Sequence, residues 1–191
     1  MGLYISSETS QEIETSDINT LPLSMQLILS AAAPFRIATL NNWFLLHDFG
    51  NIDALTDESF ALLSTSLRRD FGAVCRESTF HSVRNINSYS LLFEGNHSLE
   101  LRAYRCGVLA HLLISACDVG YIAKDEVIVL MKNSLEFIKT TYWNWDLYGT
   151  DIIKGHRCFE LSISISPKRL EHYVKVLLHN KTSPWKIVTI K

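Results

Sequence analysis

The stretch from Leu99 to Val119 constrains the fold more than any other part of the chain. Leu101, Cys106, Leu109, Leu112, Leu113 and Ala116 recur there at helical spacing and make a wide apolar stripe. A helix with so broad an apolar surface is expected at the centre of a bundle, and Gly120 supplies its stop. The apolar run Gly107–Ala123 contains His111 and Asp118 and is too short to cross a bilayer.

The rest of the chain reads as helices to surround that one. Leu21 to Phe49 is apolar and helix-compatible, with Leu23, Leu27 and Ile28 on one face and Pro34 expected to break or start an element. Thr56 is an N-cap, Asp57 and Glu58 suit the first turn of the helix behind it, and Gly72 lies just past its end. Phe60, Leu63, Leu67 and Phe71 form its expected inward face. Residues 76–87 make a shorter helix with Phe80 and Val83 inward. Asp125-Glu126 opens another, with Val127, Ile128, Leu130, Met131, Leu135 and Ile138 inside. A helix over about 146–160 follows the aromatic patch Tyr142-Trp143-Asn144-Trp145. Ser166-Pro167 opens a last helix, and Pro184-Trp185 ends the globule. Leu161, Ile163 and Ile165 alternate with serines, the only strand-like run. The expectation is an all-α irregular helical bundle with at most a minor strand near 161–165. It has a weakly ordered acidic segment over 1–20 and a single helical domain over 21–191.

With 191 residues and 47% hydrophobic content, there is material for one real core, which excludes wholesale disorder. The net charge of −2 disfavours a globally basic nucleic-acid binder. Charge is unevenly spread, however. Residues 1–60 carry Glu8, Glu12, Glu14, Asp17, Asp48, Asp53, Asp57 and Glu58 against Arg36 alone. That surplus of acid marks an interaction surface, and Asp48, Asp53, Asp57 and Glu58 are the candidate partner-binding residues. The plainer reading of residues 6–20 is a solvated acidic tail. The four cysteines read as reduced, mostly buried thiols. The N-terminus has neither the basic nor the apolar region of a signal peptide, so a cytoplasmic protein is expected, with no membrane partner.

Catalytic constellations do not emerge. The seven histidines form no H-E-x-x-H pair, and His111 among leucines reads as a hydrogen-bonded core residue. Asp48-Phe49-Gly50 and Asp70-Phe71-Gly72 spell a kinase triplet without its companion motifs and read as glycine-capped helix ends. Arg68-Arg69 and Lys168-Arg169 lack interleaved aromatics for base stacking. No catalytic residue, cofactor or metal is expected.

Three stretches carry a family resemblance. They are Ala103-Tyr104 followed by Gly120-Tyr121-Ile122; Trp145, Tyr148-Gly149 and Gly155-His156-Arg157-Cys158-Phe159; and Leu177-Leu178 followed by Ser183-Pro184-Trp185. Over about residues 65–188 the chain resembles the bacterial domain-of-unknown-function 1266 (YbeU/YbeR-like) family. It departs from that family where an Asp and an Arg are usual after the tyrosine; Arg105 and Val108 stand there. The resemblance implies a helical domain of bacterial origin and no reaction to carry over. Its members resemble accessory proteins encoded near polymorphic toxins. The leading expectation is therefore a non-enzymatic immunity (antitoxin) protein that binds and blocks a cognate toxin domain. A regulatory or scaffolding module, and a hydrolase reversing a toxin's modification, are the alternatives. Tyr104, Gly120, Tyr121, Trp145, Tyr148, Gly149, Gly155, Arg157, Pro184 and Trp185 are expected to be structural first, with Arg157 bonding carbonyls at a helix end.

Overall fold

In the computed structural model, residues 18–41, 50, 55–88, 98–158 and 163–191 are described, Cys158 by its backbone alone. After a 3-10 turn at Ile18–Thr20 come α1 (Leu23–Leu40), α2 (Asp57–Phe71), α3 (Arg76–Ser88), α4 (Leu99–Asp118), α5 (Lys124–Thr141), α6 (Trp145–Cys158), α7 (Pro167–His179) and α8 (Pro184–Ile187). No strand occurs among the described residues, and the fold is an all-α bundle.

α4 is central, as its wide stripe requires. From Ala103 to Asp118 only Arg105 escapes burial, and α1, α2, α3, α5 and α6 all pack against it. Its end is set by Gly120, whose φ of 79° lies in the left-handed region that favours glycine. Tyr121 N–H then reaches Ala116 O at 2.8 Å while Gly120 N–H reaches Cys117 O at 3.0 Å, the paired bonds of a Schellman stop. Thr56 and Gly72 cap α2 as read: Thr56 Oγ1 accepts from Ser59 N–H, and Gly72 N–H returns to Arg68 O. Ser166 caps α7 through Arg169 N–H.

α1 corrects the expectation at Pro34. The helix runs unbroken through it from Leu23 to Leu40 and is buried on nearly every side. Its length and mean hydropathy of 1.3 would suit a membrane span, but 78% of it lies inside the fold, where it is the second core helix. A proline inside a helix has no N–H for the carbonyl four residues back, here that of Ser30. The indole Nε1–H of Trp185 supplies the missing donor at 2.6 Å. A contact across 155 residues of sequence thus makes a local helix breaker tolerable.

Two further expectations shift. Leu161 and Ser162 of the strand-like run lie outside the described residues; of the rest, Ile163 and Ile165 are buried and Ser164 is exposed, and no strand is formed at 163–165. Pro184-Trp185 does not end the globule, because Val188 and Ile190 beyond it are also buried. The proposed weakly ordered segment lies outside the described residues up to Asp17, while Ile18 is core.

Charge is also buried between the core helices. Arg36 of α1 and Asp118 of α4 pair at 2.7 Å with side chains 1% and 4% exposed. Asp118 Oδ1 accepts a further bond from Gly50 N–H at 2.7 Å. So Gly50, with φ of 61°, places its N–H on the buried pair. The rest of its Asp-Phe-Gly triplet, Asp48 and Phe49, lies outside the described residues.

Candidate functional site

Most of the residues that carry the family resemblance are brought together in the interior. Trp145 and Trp185 stack with ring centroids 5.8 Å apart and planes 8° from parallel, and Tyr148 meets both edge-on. Trp145 Nε1–H donates to Val188 O at 2.7 Å, so each indole end is satisfied while its rings fill the core. Gly149 lies beneath this stack, where a Cβ would meet the Trp185 ring and Val174 at 2.9 Å. Pro184 starts α8, with Ser183 Oγ accepting from Trp185 N–H. Gly155 lets α6 close on α4: a Cβ there would run into the Glu100 carbonyl and the Tyr104 side chain.

Tyr104 and His156 form a second buried contact. His156 Nε2–H donates to Ile165 O at 2.9 Å, which leaves Nδ1 to accept the Tyr104 hydroxyl at 3.1 Å. Burial lowers the His156 pKa and raises that of Tyr104, so both groups are held neutral. A neutral tyrosine with no exposed surface is a fastening between α4, α6 and the Ile163–Ser166 segment rather than a nucleophile. Asp70 ties the same segment down, accepting from Ser164 N–H and Oγ–H at 3.2 and 2.6 Å. His111 is core, as read: it lies 2% exposed beside Phe35 and Phe71, and burial pushes its pKa down to about 3.

Arg157 departs from its expected role. Its guanidinium is exposed and pairs with Glu171 at 3.1 Å instead of bonding helix-end carbonyls. Arg105 takes that kind of role: Nε and Nη2 donate to Ile86 O at the end of α3 at 3.1 and 2.6 Å. Val108 is 1% exposed core. Cys106 and Cys117 are buried free thiols, while Cys75 is exposed. Among the described residues no group of three or more His, Cys, Asp or Glu side chains is placed to hold a metal ion.

The acidic partner-binding candidates divide. Asp48 and Asp53 lie outside the described residues, whereas Asp57 and Glu58 occupy the exposed first turn of α2. Beside them the structure adds residues that the sequence placed elsewhere. Phe60, expected inward, is 42% exposed, and Leu62 is 41% exposed. Helical spacing sets Phe60 next to Asp57 and Leu62 next to Glu58, with the two apolar side chains on opposite edges of the exposed face and the two carboxylates between them. Along the Leu62 edge runs a groove of about 410 Å³ between α2, Ala38 and Thr39 of α1, and the Ser164–Ile165 connection. Periodicity alone shows which way a helix turns its apolar residues, but not how far its neighbours extend along it. Leu63 and Leu67 lie against the core together with Ser59 of the first turn, while Phe60 and Leu62 fall to either side of that buried face.

Comparisons with protein-family models, characterised proteins and solved structures give no match for the chain. The surface of α2 and the chemistry of its residues therefore carry the functional reading.

Proposed function

We propose that the protein is a non-enzymatic immunity (antitoxin) protein that binds a cognate bacterial toxin domain and blocks it, with the exposed surface of α2 as its contact. The observation that carries this reading is the placement of Phe60 and Leu62 beside Asp57 and Glu58. Tight protein contacts combine desolvated apolar or aromatic anchors with a charged rim, and the rim speeds encounter with a surface of opposite sign. The fitting partner is accordingly a toxin domain with a basic face. Buried His111 and Tyr104 and half-buried His156 are spent on packing and internal hydrogen bonds, consistent with inhibition by occupancy rather than by catalysis. Membership of about residues 65–188 in a domain similar to the domain-of-unknown-function 1266 family belongs to the same proposal. A cytoplasmic location and the absence of nucleic-acid and membrane partners belong to the same proposal.

The test is capture of the tagged chain from its native bacterium, followed by affinity measurement on the co-eluting protein. One dominant partner at equal stoichiometry, matching the C-terminal part of a large secreted protein, is expected. Phe60→Ala should weaken that complex, and Asp57→Asn with Glu58→Gln should slow association at low salt. Recovery of a housekeeping chaperone or of background alone would favour a regulatory module. Rescue by substoichiometric amounts over many turnovers would favour a hydrolase.

A further inference from the structure

A second cavity, of about 660 Å³, opens between the C-terminal end of α3 and the facing sides of α4 and α5, away from the α2 surface. Its floor is apolar, formed by Ile86, Leu109, Leu130 and Phe137, and its rim carries Arg84, Arg102 and Arg105. Among the described residues no carboxylate lines it, and none of their ion pairs uses these arginines.

The three guanidinium groups differ in what holds them. Arg105 is turned onto the α3 carbonyls of Ile86 and Asn87, where the negative end of that helix meets its charge. The Arg102 guanidinium carbon sits over the Phe137 ring, 4.1 Å from its centroid, a cation–π contact that positions its charge without neutralising it. Arg84, in the second half of α3, has no acidic partner among the described residues. Burial, reinforced by the Arg102 charge, holds the Arg105 pKa below its ordinary value.

We propose that the cleft binds a small organic oxyanion: a phosphoryl or carboxylate head at Arg84 and Arg102, with an apolar or aromatic body on the Phe137–Leu130 floor. An arginine fork presents paired donors matched to the oxygens of such a head. The volume lies within the range of small-molecule sites, which combine an apolar lining with a few fixed polar groups. Ser134 and Asn133 at the α5 edge add neutral hydrogen-bonding groups. This site is independent of the toxin-binding proposal.

The experiment is calorimetric titration of the full chain with phenyl phosphate, octanoate, inorganic phosphate and benzyl alcohol. Saturable binding of phenyl phosphate or octanoate is expected, and which of the two binds tighter distinguishes a phosphoryl from a carboxylate ligand. Inorganic phosphate lacks the body and benzyl alcohol lacks the charge, so each should bind about tenfold more weakly or worse. Arg84→Gln and Arg102→Gln should each weaken the anion by about tenfold while leaving the melting temperature unchanged. Because Arg84 is exposed and supports no packing, its variant keeps the test valid if Arg102→Gln folds poorly. The proposal is overturned if neither organic anion saturates, if both variants bind as the parent does, or if inorganic phosphate binds as tightly (an adventitious ion only).

Discussion

The bond from Trp185 Nε1–H to Ser30 O provides the sharpest test of how this fold is held together. Ser30 is completely buried, and Pro34 denies its carbonyl the usual intrahelical donor. Trp185→Phe keeps an aromatic ring in the stack but removes the N–H, leaving a buried carbonyl unsatisfied at a cost of about 1–3 kcal/mol. For a chain of 191 residues, that predicts a melting temperature lower by on the order of 2–12 °C. The smaller ring adds a packing loss, so the single substitution does not isolate the hydrogen bond. Pro34→Ala does so, because it gives residue 34 an N–H for the Ser30 carbonyl. In that background the packing loss persists while the orphaned carbonyl disappears. The cost of Trp185→Phe should then fall by about 1–2 kcal/mol, read as a coupling energy from urea melts of the four proteins in the double-mutant cycle. Equal costs in both backgrounds would refute the idea that the indole compensates for the proline.

Four further outcomes follow from the same structure. Trp185→Ala removes ring and donor together and should destabilise by at least ~3–5 kcal/mol in thermal melts. Gly155→Ala forces a methyl into the α4 backbone and should cost roughly 1–3 kcal/mol or more, whereas Gly72→Ala, with open space around it, should show only the strain of its φ of 65°. Asp118→Ala removes the buried carboxylate that pairs with Arg36 and should cost about 3–5 kcal/mol by urea denaturation. His111 and His156 both have folded pKa values below that of an unfolded histidine, so the unfolded chain binds more protons as the solution becomes acidic. Their neutral forms give full stability above pH about 6.5, and it should decline as pH falls from there toward 3. His111→Gln should flatten the pH 4.5–6.5 part of that profile; a parent melting temperature that stays constant across this window would refute the assignment.

How much the sequence revealed differs from element to element. Thr56, Gly72, Gly120 and Ser166-Pro167 marked helix ends correctly because a cap is a bond between residues a few positions apart. α4 was legible as the central helix because its stripe is wide. Trp145, Tyr148, Gly149 and Trp185 were singled out as structural, and the core they share is formed from them. Their geometry was not legible, because it joins segments far apart in the chain. The α2 surface is half legible: charge points to Asp57 and Glu58, while spacing alone puts Phe60 in the core, where the structure leaves it 42% exposed.

Composition, periodicity and capping residues by themselves determined that this chain is an all-α bundle, where most of its helices begin and end, and which helix lies at its centre. These are consequences of short-range sterics and of the area of apolar surface each segment must hide. The tertiary structure alone decided that α1 passes through Pro34, that Ile163–Ile165 forms no strand, that Phe60 faces outward, and that Arg84, Arg102 and Arg105 gather around one cleft. Each of these depends on which distant group arrives to satisfy a carbonyl, cover a side chain or leave a charge unmatched. Local spacing carries no information about that arrival.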